Sequence, residues 1–255
     1  MTGAFYRILP VFLVALTSLL PACSADEAGV RVSLAKIATG EKHIPDRPER
    51  GALKIAVAAM VTPRETLDVY REILDYVGEK LGRPVELVQR KTYAEVNDLL
   101  RRRLIDAAFI CTQAYVEGKR DFGIELVVAP AVRGQAVYYG YIIVHRDSAA
   151  KNLEDLQGKT FAFSDPMSNT GKLFPTYLLA QIGETPDTFF SRYVFTYAHS
   201  NPVRSVAQGL VDGAAVDSLV WDYANATDRG QTSRTNIIYK PTSATGMAST
   251  RTHSG

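Results

Sequence analysis

The chain is poor in net charge and in the side chains that most often carry out chemistry. Its 255 residues have a formal net charge of +2, two cysteines, four histidines and one tryptophan. A net charge near zero gives no support for nucleic acid as a partner, and the one compact basic run, residues 101–103, fits the end of a helix. The histidines and cysteines lack metal-ligand spacing, so we expect no metal and no other cofactor.

Sequence signatures of common enzymes are missing too. No Gly-x-Ser-x-Gly motif occurs, and Gly171-Lys172 fails as a phosphate-binding loop because Pro166 and Leu173 replace the required residue types. A Cys111–His199 pair has no identifiable third group that would orient the base. The sequence therefore predicts that the protein is not an enzyme.

The one long apolar run of the chain, residues 8–20, follows Arg7 and is short for a membrane span. Small residues between this run and Cys23 are typical of a secretory signal. The segment resembles a bacterial lipoprotein signal, which implies a signal peptide at residues 1–22 and lipidation of Cys23. The protein would then be anchored to a membrane in the periplasm or cell envelope; plain secretion with an unmodified cysteine is the alternative. Residues 23–50 lack periodicity and are predicted to be a tether.

From residue 51 onward, strand-like and helix-like patterns alternate. The first group has predicted strands at 53–57, 85–88 and 107–110, and predicted helices at 67–81 and 93–104. Two further strands are predicted at 125–128 and 137–144. The alternation then resumes with strands at 160–163, 193–196 and 214–216, and helices at 172–182 and 202–210. This order predicts an α/β fold with mostly parallel sheets flanked by helices.

Two strand ends in the sequence are alike. Residues 104–112 and 210–218 each follow an amphipathic helix, and each is an apolar strand that ends in polar residues. A chance likeness between two βα units is the alternative. A true repeat predicts two lobes, at 51–141 and 142–239. Because ligands bind beyond the carboxyl ends of such strands, Cys111 and Asp217 would face a shared cleft.

The stretch at residues 161–172 suits an anion. An apolar strand ends there, and hydroxyl and amide residues open a predicted helix. The free N–H groups of a helix start, together with the positive end of the helix dipole, favour negative charge. Serine and asparagine are also the usual caps of helices, so an ordinary cap is the alternative.

Residues 53–239 resemble the phosphonate-, phosphite- and phosphate-binding proteins of bacterial ABC importers. The resemblance is carried by four motifs, at 107–116, 138–144, 163–171 and 209–218. It implies a two-lobed periplasmic binding protein of type II that closes as a monomer on a small oxyanion and delivers it to a membrane permease. It also implies ligand-binding roles for seven residues: Tyr93, Tyr138, Ser168, Asn169, Thr170, His199 and Asp217.

The implied roles have clear chemistry and plain alternatives. A histidine donates to an oxyanion, and a carboxylate accepts from a ligand oxygen that still carries a proton, so Asp217 would select protonated species. However, a single histidine such as His199 is more often a surface or core residue. Asp217 is also placed to cap a helix near Leu219. Tyr138 is equally suited to packing within a strand.

A rival prediction is an oxyanion sensor. Related periplasmic proteins present phosphate or arsenite to a membrane histidine kinase, and some bind arsenite through a cysteine. With Cys23 lipidated, Cys111 has no disulfide partner in the chain, and it ends a predicted strand at the cleft. Burial as a small apolar side chain is the expected state of Cys111, and arsenite binding is the alternative.

The C-terminal residues 240–255 are rich in serine and threonine and lack periodicity. In the family that the chain resembles, this region returns to the first lobe with a further strand and helices. We therefore expect an irregular, truncated tail, with apolar surface of the first lobe left uncovered and stability reduced.

Overall fold

The computed structural model describes residues 31–33, 51–58, 63–132, 134, 136–227 and 229–241. The predicted signal peptide, the lipidation site at Cys23 and the tail beyond residue 241 lie outside these residues. Most of the predicted tether does as well, although Arg31–Ser33 within it forms a short strand. In the described parts of the chain, no helix combines the length and apolarity needed to cross a membrane.

The first sheet has four strands in the order β1-β3-β2-β4. They are β1 (Arg31–Ser33), β2 (Leu53–Ala58), β3 (Val85–Arg90) and β4 (Ala107–Phe109). Strand β2 is parallel to β3 and β4, whereas β1 joins the edge antiparallel to β3. Three helices cover this sheet: α1 (Pro63–Leu81), α2 (Tyr93–Arg101) and α3 (Thr112–Phe122). We call this body lobe 1.

The second sheet has five strands in the order β7-β6-β8-β5-β9. They are β5 (Gly140–His145), β6 (Thr160–Phe163), β7 (Arg192–Phe195), β8 (Gly213–Asp217) and β9 (Thr235–Tyr239). The helices of this body are α4 (Phe174–Gln181), α5 (Pro186–Phe189), α6 (Ser200–Ala207), α7 (Ser218–Thr227) and α8 (Arg229–Thr232). We call it lobe 2. The predicted α/β class, with helices flanking the sheets, is what the structure has.

The central strands β2, β5 and β8 are buried on two faces, which explains why their buried residues follow one another without alternation. In β2, Ile55 and Val57 pack with Leu74 of α1, while Ala56 and Ala58 point to the other face and pack with Val96 of α2. Lobe 2 is more aromatic. The rings of Phe161 and Phe190 stack with centroids 4.3 Å apart, and other phenylalanines surround them.

Some predicted elements are wrong. Residues 125–128 form no strand, and the side chains of Val127 and Val128 are 84% and 74% exposed. A β-branched run becomes a strand only where a neighbouring strand pairs with it. The predicted helix at 172–182 begins instead as a π-helical turn, Asn169–Leu173, before α4.

The predicted lobe boundary also shifts. Strand β5 lies wholly in the second sheet, where Gly140 pairs with Asp217, so the boundary at residue 141 would cut this strand. In addition, β5 is antiparallel to both β8 and β9, so the second sheet is mixed. Periodicity in a sequence reports which residues are buried and carries no information on strand direction, which is why this was not predicted.

Gly140 offers a test of how tightly lobe 2 is packed. A Cβ atom at this position would overlap the ring of Phe174, which is buried in the core. We expect Gly140→Ala to lower the free energy of unfolding by about 1–3 kcal/mol, because a rigid ring cannot move aside. Gly51→Ala is the control, since a Cβ there meets nothing within 4 Å. Urea unfolding of both variants measures the difference, and equal midpoints would contradict it.

Candidate functional site

The turn after β6 holds a run of buried polar side chains. Ser168, Asn169 and Thr170 are at most 5% exposed. Ser168 has an extended backbone, and its side-chain oxygen accepts a hydrogen bond from the N–H of Gly171 at 2.9 Å. The predicted cap is therefore present. The positive end of the Asn169–Leu173 turn and of α4 therefore points at this place. Gly171 has no room for a side chain, because a Cβ would overlap Ser164.

Asp217 ends β8 and joins this turn. One carboxylate oxygen accepts the hydroxyl of Thr170 at 3.2 Å, and the other accepts the N–H of Leu219 at 2.8 Å. The carboxylate therefore caps α7 and contacts the candidate anion site at the same time. Burial raises its pKa to about 6, and the hydrogen bonds from Leu219 and Thr170 oppose that rise only in part.

His199 stands at the start of α6 and is 2% exposed. Its Nε2 lies 3.3 Å from the hydroxyl of Tyr93, and its Nδ1 is buried without a hydrogen-bond partner. Burial lowers its pKa to about 4, so the ring is neutral near pH 7. A neutral imidazole still supplies one N–H donor.

The loop that carries His199 is strained. Tyr197 has φ of 60°, a left-handed conformation that costs a residue with a side chain about 1–2 kcal/mol. Its N–H donates to the Ser164 carbonyl at 2.7 Å, and its ring lies 4.4 Å from the Lys91 ammonium. These contacts from both lobes hold the loop and fix the position of His199.

Lobe 1 contributes Tyr93, the first residue of α2. Thr92 caps this helix, and Glu95 completes a capping box. The Tyr93 hydroxyl reaches His199 across the lobes. Its pKa is raised well above 10, first by burial and then by the nearby groups Cys111, Tyr138, Asp217 and Asp165.

Cys111 immediately precedes α3 in the chain, and the hydroxyl of Tyr138 lies beside Thr112, the first residue of that helix. The Cys111 thiol donates to the carbonyl of Met167 at 3.1 Å. Burial raises the thiol pKa to about 11, while the N–H groups of Ala114, Asn169 and Gln113 act in the opposite direction. The thiol is therefore protonated near pH 7 and poorly reactive. The hydroxyl of Tyr138 accepts the backbone N–H of Thr112 at 3.4 Å, so it caps α3, and it lies 3.0 Å from the Thr112 hydroxyl.

The structure brings the predicted site residues together between the lobes. Tyr93 meets His199, Thr170 meets Asp217, and Asn169 faces the Cys111 sulfur. Cys111 and Asp217 both raise the pKa of Tyr138, after burial, and the shared cleft of the two similar strand ends stays a prediction. Among the described residues, no group of three or more histidine, cysteine or acidic side chains could hold a metal ion.

Sequence reasoning missed Asp165 and Met167. Asp165 is 4% exposed and accepts N–H groups from Met167 and, across the lobes, from Tyr93. Its pKa is raised, first by burial. The only local signal was an aspartate just ahead of the serine cap, a pattern that many surface turns share.

Comparisons with known proteins agree with this geometry. Residues 55–248 match the family described as "ABC transporter, phosphonate, periplasmic substrate-binding protein". The chain belongs to this family.

The chain is similar in sequence to two curated proteins. The chain is 29% identical over 163 residues to "Phosphate-import protein PhnD" of Mycolicibacterium smegmatis, covering 59% of this chain and 50% of that protein. It is 25% identical over 194 residues to "Phosphonates-binding periplasmic protein" of Escherichia coli, covering 74% and 57%. The chain thus spans about half the length of these relatives.

Solved structures identify the fold. A binding protein component of an ABC phosphonate transporter from Pseudomonas aeruginosa aligns with a TM-score of 0.69 at 20% identity, over 75% of this chain and 65% of that one. PhnD1 from Prochlorococcus marinus, in complex with methylphosphonate, aligns with a TM-score of 0.66 at 18% identity, over 74% and 71%. The predicted two-lobed type II fold is confirmed.

The burial of His199 predicts a pH effect on stability. Between pH 6.5 and 4 the unfolded chain binds a proton that the folded protein does not bind. The free energy of unfolding therefore decreases by up to about 3 kcal/mol as the pH is lowered through this range. His199→Gln should lack this part of the loss, and His145→Gln, at the end of β5, is the control. Urea unfolding at pH 7 and pH 4.5 measures it. A loss in His199→Gln as large as in wild type would contradict the prediction.

The raised pKa of Asp217 predicts a pH effect on stability of the opposite sign, over an overlapping pH range. Its folded pKa of about 6 lies above the ordinary 3.8, so ionisation above pH 6 costs stability that is regained as pH falls toward 4. Asp217→Asn keeps the shape and removes the charge. The asparagine side chain can accept only one of the two hydrogen bonds that Asp217 accepts from Thr170 and Leu219, and that loss does not depend on pH. We therefore expect the stability of the variant relative to wild type to be higher at pH 7 than at pH 4, by up to about 3 kcal/mol. Thermal melting at pH 7 and pH 4 tests this, and a gain that is equal at both pH values would refute it.

Proposed function

We propose that this protein captures a small phosphorus oxyanion, namely a phosphonate, phosphite or phosphate, and delivers it to the permease of an ABC importer. The observation that carries the proposal is the buried Thr170–Asp217 pair at the start of a helix. Such a helix start favours an anion, and the carboxylate favours a proton on that anion. Membership of the family supports the same ligand class.

The donors of this site are neutral. Ser168, Asn169 and Thr170 offer hydroxyl, amide and backbone N–H groups, and neutral His199 adds one ring N–H. Lys172, although it lies in the turn, has its ammonium 4.6 Å from the Phe163 ring centroid and bonded to Thr176, away from these groups. The anion would therefore be held by dipoles and hydrogen bonds.

Asp217 gives the site its selectivity. A carboxylate repels a fully ionised oxyanion and accepts a hydrogen bond from one that is protonated. Its own raised pKa lets the proton be shared between ligand and protein near pH 6. We infer that the hydroxyls of Tyr93 and Tyr138, which lie beside His199 and Thr112, would contact the bound ligand.

The location, membrane anchor and oligomeric state of the protein belong to the same proposal. A periplasmic family and a lipoprotein-like leader are consistent with a monomer anchored through lipid on Cys23 beside its permease. Binding without catalysis remains a prediction. The family is described as part of an ABC transporter, one curated relative is named for phosphate import, and the half-buried Cys111 thiol donates to Met167, so none of these favours an arsenite sensor.

Calorimetry with phosphate, phosphite, methylphosphonate and arsenite tests the function. We expect at least one phosphorus anion to bind wild type, and Thr170→Val and Asp217→Asn to weaken that binding about 10- to 100-fold, because each removes a hydrogen bond to a charged group. Thr176→Val, a threonine of α4 bonded only to Lys172, is the matched control.

Cys111→Ser separates the two ligand chemistries in the same assay. A phosphorus anion should still bind this variant, because the thiol is neutral and bonds to protein. Binding of arsenite alone, abolished by Cys111→Ser, would overturn the import proposal in favour of the sensor.

A further inference from the structure

The segment 165–167, just ahead of the candidate anion site, contacts lobe 1 at three points. A carboxylate oxygen of Asp165 accepts the N–H of Tyr93 at 3.3 Å. The carbonyl of Met167 accepts the thiol of Cys111 at 3.1 Å. The side chain of Met167 packs against the apolar cluster of lobe 1 that includes Tyr93 and Ala114. This short segment of lobe 2 therefore contacts lobe 1 through a side-chain acceptor, a backbone acceptor and an apolar side chain of its own.

The same segment is tied to the anion-binding turn within lobe 2. The second carboxylate oxygen of Asp165 accepts the N–H of Met167 at 2.8 Å, and the Asp165 carbonyl accepts the N–H of Ser168 at 2.9 Å. Because of these bonds, we expect a movement of Ser168 to move the residues that contact lobe 1 as well. The two sets of bonds share one carboxylate.

We propose that Asp165 and Met167 are positioning residues that lock lobe 1 onto the anion-binding turn, hold the Tyr93 phenol against His199 and thereby slow ligand release. The part that concerns ligand release rests on the proposed function. The part that concerns contact between the lobes stands on the geometry alone.

The energetic argument concerns which state each contact stabilises. Contacts between lobes exist only when the lobes are together, so losing them shifts the population toward separated lobes and leaves each lobe intact. Met167 loses apolar burial when the lobes part, and Asp165 loses the N–H of a helix start. Capture from solution needs the separated state, so these contacts act on the rate of release more than on the rate of binding.

Met167→Ala is the main test, with Met167→Leu as the conservative control. For methylphosphonate, stopped-flow fluorescence gives the two rate constants, and small-angle X-ray scattering gives the radius of gyration. We expect Met167→Ala to release ligand about tenfold faster, to bind it at a rate within about twofold of wild type, and to have a larger radius of gyration. Met167→Leu should behave as wild type.

A second variant addresses the hydrogen bond. Asp165→Asn keeps the volume but replaces one of two acceptor oxygens with a donor, so Tyr93 and Met167 cannot both be satisfied. We expect faster hydrogen exchange of the Tyr93 amide and the same rise in release rate. This variant also decides the question if Met167→Ala does not fold.

The outcomes are distinguishable from failure of the proposed function. If wild type binds no phosphorus anion, the proposed function fails, while scattering and Tyr93 amide exchange still decide the contact between lobes. Unchanged release, scattering and exchange in both variants would overturn the inference. So would equal slowing of binding and speeding of release together with a lower melting temperature in Met167→Ala, because that pattern reports general destabilisation.

Discussion

The structure depends on the meeting of helix N-termini between two lobes. The first residues of α2 and α3, from lobe 1, face the starts of the Asn169–Leu173 turn, α6 and α7, from lobe 2. Each start carries partial positive charge and N–H groups that have no partner within the helix. Without negative partners such an arrangement would hold the lobes apart. Asp165 and Asp217, both buried, supply two of those partners, and a bound oxyanion would supply a third.

This arrangement explains why charged donors are not required at the site. Fixed dipoles cost nothing to reorganise when an anion arrives, whereas a lysine or arginine side chain loses conformational freedom. A neutral His199 and a partly protonated Asp217 leave the total charge of the site low. On the proposed function, the balance of one extra proton would distinguish between oxyanions of similar size.

The predictable parts of the molecule are those with local causes. Strands such as β2 and β6, and the serine cap at Ser168, follow from apolar runs and from the chemistry of helix starts. A site role for His199 was expected only because the motifs resemble a known family, whereas Asp217 was also indicated by the likeness of the two strand ends. What the sequence did not predict was non-local: the antiparallel pairing of β5 and the contact of Met167 with lobe 1. Contacts between distant segments leave no period in the sequence.

The polar groups of the site are divided unevenly between the lobes. Ser168, Asn169, Thr170, His199 and Asp217 all belong to lobe 2, whose core is rich in stacked phenylalanines. Lobe 1 offers chiefly the Tyr93 hydroxyl, and its core includes the small side chains Ala56, Ala58 and Ala114. An oxyanion would therefore meet a nearly complete binding surface on lobe 2 first. Lobe 1 would follow as a cover, and on the proposed function the division of residues would give capture a fixed order in time.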